Sequence, residues 1–423
     1  MPEIAAPRGT RDILPADAPA WRRLLDTHAE VAELFGYAYV ETPVFESTEL
    51  FARGVGQETD IVEKQMFTFE DRGGRSLTLR PEGTAGTLRG VLGARLDQEQ
   101  RPVRVHYAGP MFRAERPQAG RQHQFTQLGI ECIGERSAAL DSEVIEIAWL
   151  YFTRLGISGL QLQVNTLGTG DDRRRYREAL VSYYTPLRDQ LCEDCRRRLE
   201  LNPLRLLDCK KDARFVAEAP VIWDILDGES QIYFESVLAS LRDAGVDARV
   251  NHRIVRGLDY YTDTVFEFWH ESLHGAQNSL GGGGRYDGLA QTLGFAPTPA
   301  TGYALGVERI LLVARELGTL PGPSPNGDVL VCSVEPPQSL RAASDARALR
   351  SAGVRVVLDV SDRRLDRKLR AADRVGARVV VIVGEEEAAA DAASVRDLAA
   401  HSQQRISRAQ LVESVVSLLG RAA

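Results

Sequence analysis

Arg113, Phe125, Gln127 and Glu131 fall in one stretch, VHYAGPMFRAERPQAGRQHQFTQLGIE from Val105 to Glu131, with strand character at both ends and a middle too rich in Arg, Gln, Pro and Gly to be core. The runs Val105 to Arg113 and Gln124 to Glu131 therefore read as an antiparallel hairpin with a long polar loop. Side chains alternate across a strand, so Phe125, Gln127, Gly129 and Glu131 share one face, and Arg113 stands at the end of the first strand. A cation, an aromatic ring, an amide and a carboxylate make a poor apolar core, because buried charge is costly unless it is paired or bound to a ligand. The plainer alternative is a solvated hairpin face with a basic loop.

Other clusters carry chemistry of the same kind. A hairpin from Met66 to Arg80, turned at Arg72, Gly73 and Gly74, ends in Arg80-Pro81-Glu82-Gly83-Thr84. A helix starting there would offer free amides, with Thr84 as its cap. Glu82 is otherwise a first-turn carboxylate favoured by the helix dipole. Between Val250 and Trp269 a loop holding Arg256, Asp259, Tyr260 and Tyr261 precedes an alternating strand, Thr264 to Phe268. Adjacent tyrosines beside an arginine fit a pocket wall better than a core, because buried phenols need partners. In NSLGGGGRYDGLA, Asn278 to Ala290, the glycines continue a strand into Arg285-Tyr286-Asp287, which points to close backbone approach to a ligand. No Gly-Lys-Ser/Thr follows, so this is not a Walker loop. Cys192 and Cys195 form a CxxC with Cys209 following, but a closed zinc site wants four ligands and the neighbourhood supplies three cysteines and no histidine. Structural or incidental thiols are the favoured reading, and the metal is left unassigned.

Holding these groups takes more than one domain: 423 residues exceed one ordinary core. Hydrophobic residues at 43% and charged residues at 26% are ordinary for a globular protein. The net charge, 52 − 59 = −7, excludes a generally basic nucleic-acid coat and leaves any such contact to local patches. Five cysteines, few and odd in number, suit a reducing compartment. No apolar run is long enough to span a membrane and the N-terminus has no apolar signal core, so a cytoplasmic location is expected. A helix from Asp17 to Phe35 precedes a strand, Tyr37 to Phe45, whose Pro43 marks a sheet edge. A second helix, Ser142 to Leu155, carries core positions Val144, Ile145, Ala148, Trp149 and Phe152. From about Gly170 to Glu229 the chain is dense in arginine and acid and reads as an inserted helical domain. LPGPSPNG, Leu320 to Gly327, is a linker, after which VLVCSV, VRVVLDV and ARVVVIVG alternate with helices as in a small α/β domain containing parallel strands. The helix around Asp362 to Arg374 crowds Arg363, Arg364, Arg367, Lys368, Arg370 and Arg374 into a phosphate-facing patch or a solvated face.

FRxE, a loop and then FxQ resemble motif 2 of the class II aminoacyl-tRNA synthetases; the helix and the Pro43 strand are similar to motif 1, and GYALGVERI, Gly302 to Ile310, to motif 3. RGLDYYTDTVFE and GGGRYDGL, in that order after the hairpin, resemble the two signature motifs of the histidyl-tRNA synthetases, and the resemblance runs essentially the full length. It implies an α+β protein: an antiparallel-sheet catalytic domain over residues 1–320 with a helical insertion at about 170–229, a linker at 321–327 and an anticodon-binding α/β domain at 328–423. It further implies activation of L-histidine by ATP with Mg2+, transfer to the 3′ end of tRNA(His), and a homodimer. The implied roles place Arg113 and Arg256 on the α-phosphate and carboxylate, Arg113, Glu115, Phe125 and Arg309 on ATP, and Glu82, Gly83, Thr84 and Gln127 on the histidine backbone. Glu131 with Tyr260 and Tyr261 would read the imidazole, and Tyr286 would close the pocket. The rival from another class is a non-catalytic, histidine-sensing regulatory subunit of ATP phosphoribosyltransferase, which would lack the C-terminal domain.

Overall fold

The computed structural model describes residues 4–56, 59, 61–118, 120–254, 260–273, 278–322 and 327–420. It divides into two compact units, Met1–Pro321 and Gly322–Ala423. The strands of the first are β1 Ala38–Tyr39, β2 Phe45–Ser47, β3 Thr68–Glu70, β4 Ser76–Leu79, β5 Val103–Phe112, β6 Gln124–Ile133, β7 Leu160–Thr166, β8 Ala248–Val250, β9 Thr262–His270, β10 Ser279–Arg285 and β11 Ala300–Gly306. An eight-stranded sheet runs β1-β5-β6-β11-β10-β9-β7-β8, and β2-β4-β3 form a small sheet of their own. The large sheet is antiparallel except at its two ends, where β1 pairs parallel with β5 and β8 with β7.

The helices Ala18–Leu34, Ala138–Arg154, Gly228–Asp243 and Val307–Glu316 cover one face of this sheet. Leu128, Ile130 and Cys132 of β6 pack among Leu24, Val144, Phe152 and Ile310. Alternation therefore turns Gln127, Gly129 and Glu131 to the opposite face, the one that the hairpin pattern set apart. Burying the apolar residues of β6 against the helices is what fixes its register, since a slip by one residue would exchange the two faces.

Two elements differ from the sequence expectation. The run Tyr37 to Phe45 is not one strand: β1 closes the edge of the large sheet and β2 belongs to the small one, with Pro43, which lacks the N–H a continuous ladder needs, between them. The glycine run is itself strand β10, and the backbone that approaches it most closely is that of its neighbours: a Cβ on Gly283 would lie 1.9 Å from the Gly302 carbonyl oxygen, and one on Gly282 2.2 Å from that of Phe266. Only Gly281 of the run reaches a cavity wall.

The segment between β7 and the helix Gly228–Asp243 is helical, built from Gly170–Tyr184, Glu193–Leu201, Ala213–Ala217 and short 3-10 turns. It has its own small core around Tyr176, Leu180, Tyr184, Leu199, Leu206 and Ile222.

In the second unit the strands are β12 Val329–Ser333, β13 Val356–Asp359, β14 Val379–Val383, β15 Ala392–Asp397 and β16 Ser402–Ser407, in the order β13-β12-β14-β15-β16. The first three pair in parallel, and β15 and β16 add antiparallel. Val329, Val331, Ala346, Leu349, Val381, Val395 and Val415 form one buried cluster of this unit.

Candidate active site

The site face of β5 and β6 opens on a cavity of about 470 Å³ walled by Glu82, Thr84, Arg113, Glu115, Phe125, Gln127, Tyr260, Tyr261 and Arg309, among others. Of the other residues expected at the site, Glu131, Tyr286 and Gly83 are buried behind the wall and do not line it, and Arg256 lies outside the described residues. Glu131 is completely buried. Its carboxylate accepts a hydrogen bond from the Tyr286 hydroxyl and, at 3.3 Å, from that of Tyr107. Room for it comes from the partner strand: Gly302 sits opposite Glu131, and a Cβ there would fall 2.1 Å from Glu131 Oε2. Tyr286 is stacked edge-on to Tyr260 at 5.5 Å, so the buried carboxylate and the cavity wall are one aromatic ring apart.

The loop after β4 is built differently from the expected Thr84 cap. Glu82 Oε2 accepts from the Thr84 N–H at 2.7 Å and Oε1 from the Ala85 N–H at 3.0 Å, so the carboxylate caps the helix Thr84–Gly93. The Thr84 hydroxyl is thereby left beside Glu131, Tyr107 and Tyr260. Gly83 N–H donates to Gln127 Oε1 at 3.2 Å, which ties this loop to β6.

Cations dominate another part of the wall. Arg113 Nε donates to the Pro81 carbonyl at 2.8 Å, and its guanidinium lies 5.1 Å from the centre of the Phe125 ring. Arg309 Nη1 donates to the Ser279 carbonyl at 2.6 Å and Nε to that of Gly120 at 3.3 Å. Arg121 joins them, and Glu115 answers both loop cations, at 3.8 Å from Arg113 and 3.3 Å from Arg121. Burial lowers the pKa of Arg113 and Arg309, and the crowding of Arg121 and Arg113 lowers that of Arg309 further. Such a set gains by binding an anion. Burial likewise pushes Glu131 up to about 8, with the nearby Glu82 adding to the rise and the Tyr286, Thr84 and Tyr107 hydroxyls opposing it.

A family model described as "Histidyl-tRNA synthetase" matches residues 9–169 and 210–310. The chain belongs to the histidyl-tRNA synthetase family. A second family model, described as "Anticodon binding domain", matches residues 328–418. The "Histidine--tRNA ligase" of Mycobacterium marinum is 46% identical over 423 residues, 100% of either chain, and that of Moorella thermoacetica 46% over 409 residues, 96% of either chain. The crystal structure of apo S. aureus histidyl-tRNA synthetase superposes with a TM-score of 0.83 at 34% identity, covering 98% of this chain and 100% of that one. Relatives of this name across the full length, with the anticodon-binding match, leave the regulatory-subunit reading the weaker one.

Among the residues at or behind this synthetase's cavity to which the motif reading gives no role are Glu267, Arg121 and Tyr107. Tyr107 was accessible to it: counting back from Arg113 in steps of two reaches Tyr107, which pairs with Gly129 across the hairpin and so shares the site face. Arg121 sits in the loop, where no periodicity marks a direction. Conversely, Arg285 beside Tyr286 is structural: fully buried, it pairs with Asp141 at 2.7 Å and Asp287 at 2.9 Å, and Asp141 also accepts from the Thr264 and Tyr233 hydroxyls. That network holds β10 against the helix Ala138–Arg154 and fixes where Tyr286 points.

Proposed function

We propose that this cavity activates L-histidine with ATP and then passes the histidyl group to the 3′ end of tRNA(His). By family the chain is an ATP-dependent histidine–tRNA ligase, forming AMP and pyrophosphate. The observation that supports the cavity as the place is the meeting around one space of an anion-holding set, Arg113, Arg121 and Arg309, with the Tyr107–Glu131–Tyr286 group set behind Tyr260.

In the first step a carboxylate oxygen of histidine bonds to the α-phosphorus as the bond to the β-phosphate bridging oxygen breaks, and pyrophosphate leaves. Such a reaction needs alignment and charge stabilisation rather than a protein nucleophile. Arg113, and Arg256 by motif position, take the α-phosphate and the carboxylate. Phe125 and Arg309 hold the two faces of adenine, the latter by a cation–π contact. Glu115 fixes the loop cations that meet the phosphates. Glu82, Thr84, the Gly83 backbone and Gln127 surround the ammonium group. For Glu131 to read the imidazole N–H, the Tyr286 or Tyr260 ring between it and the cavity must move aside; its four lone-pair sites then allow it to accept that N–H in addition to the tyrosine hydroxyls, while Tyr260 and Tyr261 flank the ring. Mg2+ prefers one or two carboxylates together with phosphate oxygens, and Glu115 and Glu267 at the wall suit that preference. When bound, the ion would neutralise phosphate charge.

The second unit reads the anticodon. The protein works as a cytoplasmic homodimer, a reading supported by the apolar surface where Phe45 and Phe69, 51% and 42% exposed, meet edge to face at 6.3 Å. No helix among the described residues is long and apolar enough to cross a membrane. The deciding experiment is exchange of labelled pyrophosphate into ATP with each amino acid in turn, followed by charging of tRNA(His). Exchange that depends on histidine alone is expected; histidine binding without exchange would return the protein to a sensing role.

A further inference from the structure

The inserted helical segment holds a second chemical cluster, whose residues do not line the cavity. Cys192 is the N-cap of the helix Glu193–Leu201 and Cys195 lies in its first turn; Cys209 ends the 3-10 turn Pro203–Asp208 and Asp212 is the N-cap of the helix Ala213–Ala217. In sequence this is CxxC, thirteen intervening residues, then CxxD. The three sulfurs and a carboxylate oxygen of Asp212 all lie within 4.8 Å of one another. We propose that Cys192, Cys195, Cys209 and Asp212 bind one zinc ion in a closed structural site that ties the two turns of the insertion together.

Geometry favours an ion over a sulfur–sulfur bond. Zinc–sulfur bonds of about 2.3 Å arranged tetrahedrally set sulfur–sulfur edges of about 3.8 Å. Cys192 Sγ and Cys209 Sγ are 3.8 Å apart, and Cys209 Sγ is 3.8 Å from Asp212 Oδ2. A disulfide would need about 2.05 Å and would use two of the four groups. The ligand set selects the metal: thiolates in a tetrahedral array prefer zinc to the hard cations that carboxylate clusters hold.

Supporting contacts are of the kind metal sites use. The Cys192 N–H donates to the Asp212 carboxylate, 3.0 Å from Oδ2 and 3.3 Å from Oδ1, which orients the only oxygen ligand. Three thiolates, one carboxylate and Zn2+ sum to −3 − 1 + 2 = −2, and cations adjoin both turns in sequence: Arg196, Arg197 and Arg198 follow the first, and Lys210 and Lys211 are the middle residues of the second. The segment also has a use for a staple, because its core is small and Cys195 already lies inside it. The match to the synthetase family model omits residues 170–209, so all three cysteines stand in the part that this match leaves out. A count of cysteine and histidine alone finds three ligands; the fourth is the aspartate three residues after Cys209.

The test uses the full chain. Protein purified without chelator should carry stoichiometric zinc through gel filtration. After chelator treatment and thiol reduction, Co2+ should give sulfur-to-cobalt charge-transfer absorption and tetrahedral visible bands, both abolished by added Zn2+. Asp212→Asn should weaken Co2+ binding by at least about tenfold, whereas Asp212→Cys should keep it and strengthen the charge-transfer band. Cys192→Ser with Cys195→Ser should remove both bands. A reduced, normally folded wild-type chain that takes up neither Zn2+ nor Co2+ overturns the site, as does a Cys192–Cys209 disulfide in protein isolated without reductant if the reduced form then binds no metal. An Asp212→Asn variant that titrates like the wild type removes the aspartate from the ligand set and overturns the assignment as stated.

Discussion

Glu131 has two demands on it that pull in opposite directions. Its burial favours the neutral acid, while the Tyr286 and Tyr107 hydroxyls, and in the proposed complex the imidazole N–H, favour the carboxylate. Its folded-state value of about 8 lies above the ordinary 4.5, so between those values the native protein binds a proton that the unfolded chain has released. The stability this contributes is fully present below about 4.5 and is lost as pH rises through about 8, at a limiting slope of about 1.4 kcal/mol per pH unit. Glu131→Gln cannot ionise and keeps nearly the same volume. Denaturant midpoints of the two proteins at pH 5.5, 7 and 8.5 should therefore move apart in favour of the glutamine variant as pH rises. Every other titration is common to both chains, so a constant gap, or one moving the other way, would remove the raised pKa from the account. In kinetics the same change replaces the anionic acceptor, and activation of histidine should lose about 1 to 3 kcal/mol while the KM for ATP stays nearly fixed.

At the scale of elements, the parts legible in the sequence were those with a clean period and one buried face. The β5–β6 hairpin was so, because Leu128, Ile130 and Cys132 alternate with Gln127, Gly129 and Glu131, and the Ala18–Leu34 helix was so, because Leu24, His28 and Val31 recur at its spacing. Where partners come from far along the chain, the pattern could not tell. Nothing local in Gly281 to Gly284 says that the approaching backbone belongs to β9 and β11, and the sequence offers both Thr84 as a cap and Glu82 as a carboxylate favoured at the helix N-terminus without choosing between them. The helix Leu365–Val375 shows the same limit. Of its basic cluster, Lys368 is buried with Nζ donating to the Ser333 carbonyl at 2.7 Å, and Arg363 pairs with Asp359 at 3.0 Å, whereas Arg364, Arg367 and Arg374 are exposed. These should behave differently when removed. Replacing Arg364, Arg367 and Arg374 together by alanine should weaken tRNA binding and make its dependence on log salt shallower by roughly two to three, with pyrophosphate exchange unchanged. Lys368→Ala should instead lower the melting temperature, since it orphans a buried carbonyl. An unchanged salt slope in the triple variant would make the helix face a solvated one only.

For the whole molecule, what matters is that the proposed site of chemistry and the proposed RNA reading rest on separate cores. The cavity is walled by residues from Ile61 to Arg309, all within the first unit, and the sheet that carries it packs against the helices Ala18–Leu34, Ala138–Arg154 and Val307–Glu316. The clusters built on β12, β13, β14 and their neighbours use only residues of the second. A chain ending at Pro321 therefore loses no core residue of the eight-stranded sheet and should fold cooperatively by itself. Its adenylation should stay within a few-fold of the full chain, because every group assigned to histidine and ATP precedes the cut. Charging of tRNA(His) should fall at least about tenfold in kcat/KM, the loss of about 1.4 kcal/mol or more of binding from the second unit. Measuring both half-reactions on the same fragment separates the possibilities. Adenylation lost from a fragment with native-like melting would mean that the second unit completes the active site, and full charging efficiency would mean that the anticodon is not read there. If adenylation persists while added tRNA is charged slowly at saturation as well as at low concentration, the second unit also sets the pose of the acceptor end, and the missing stabilisation belongs to the transition state rather than to the encounter.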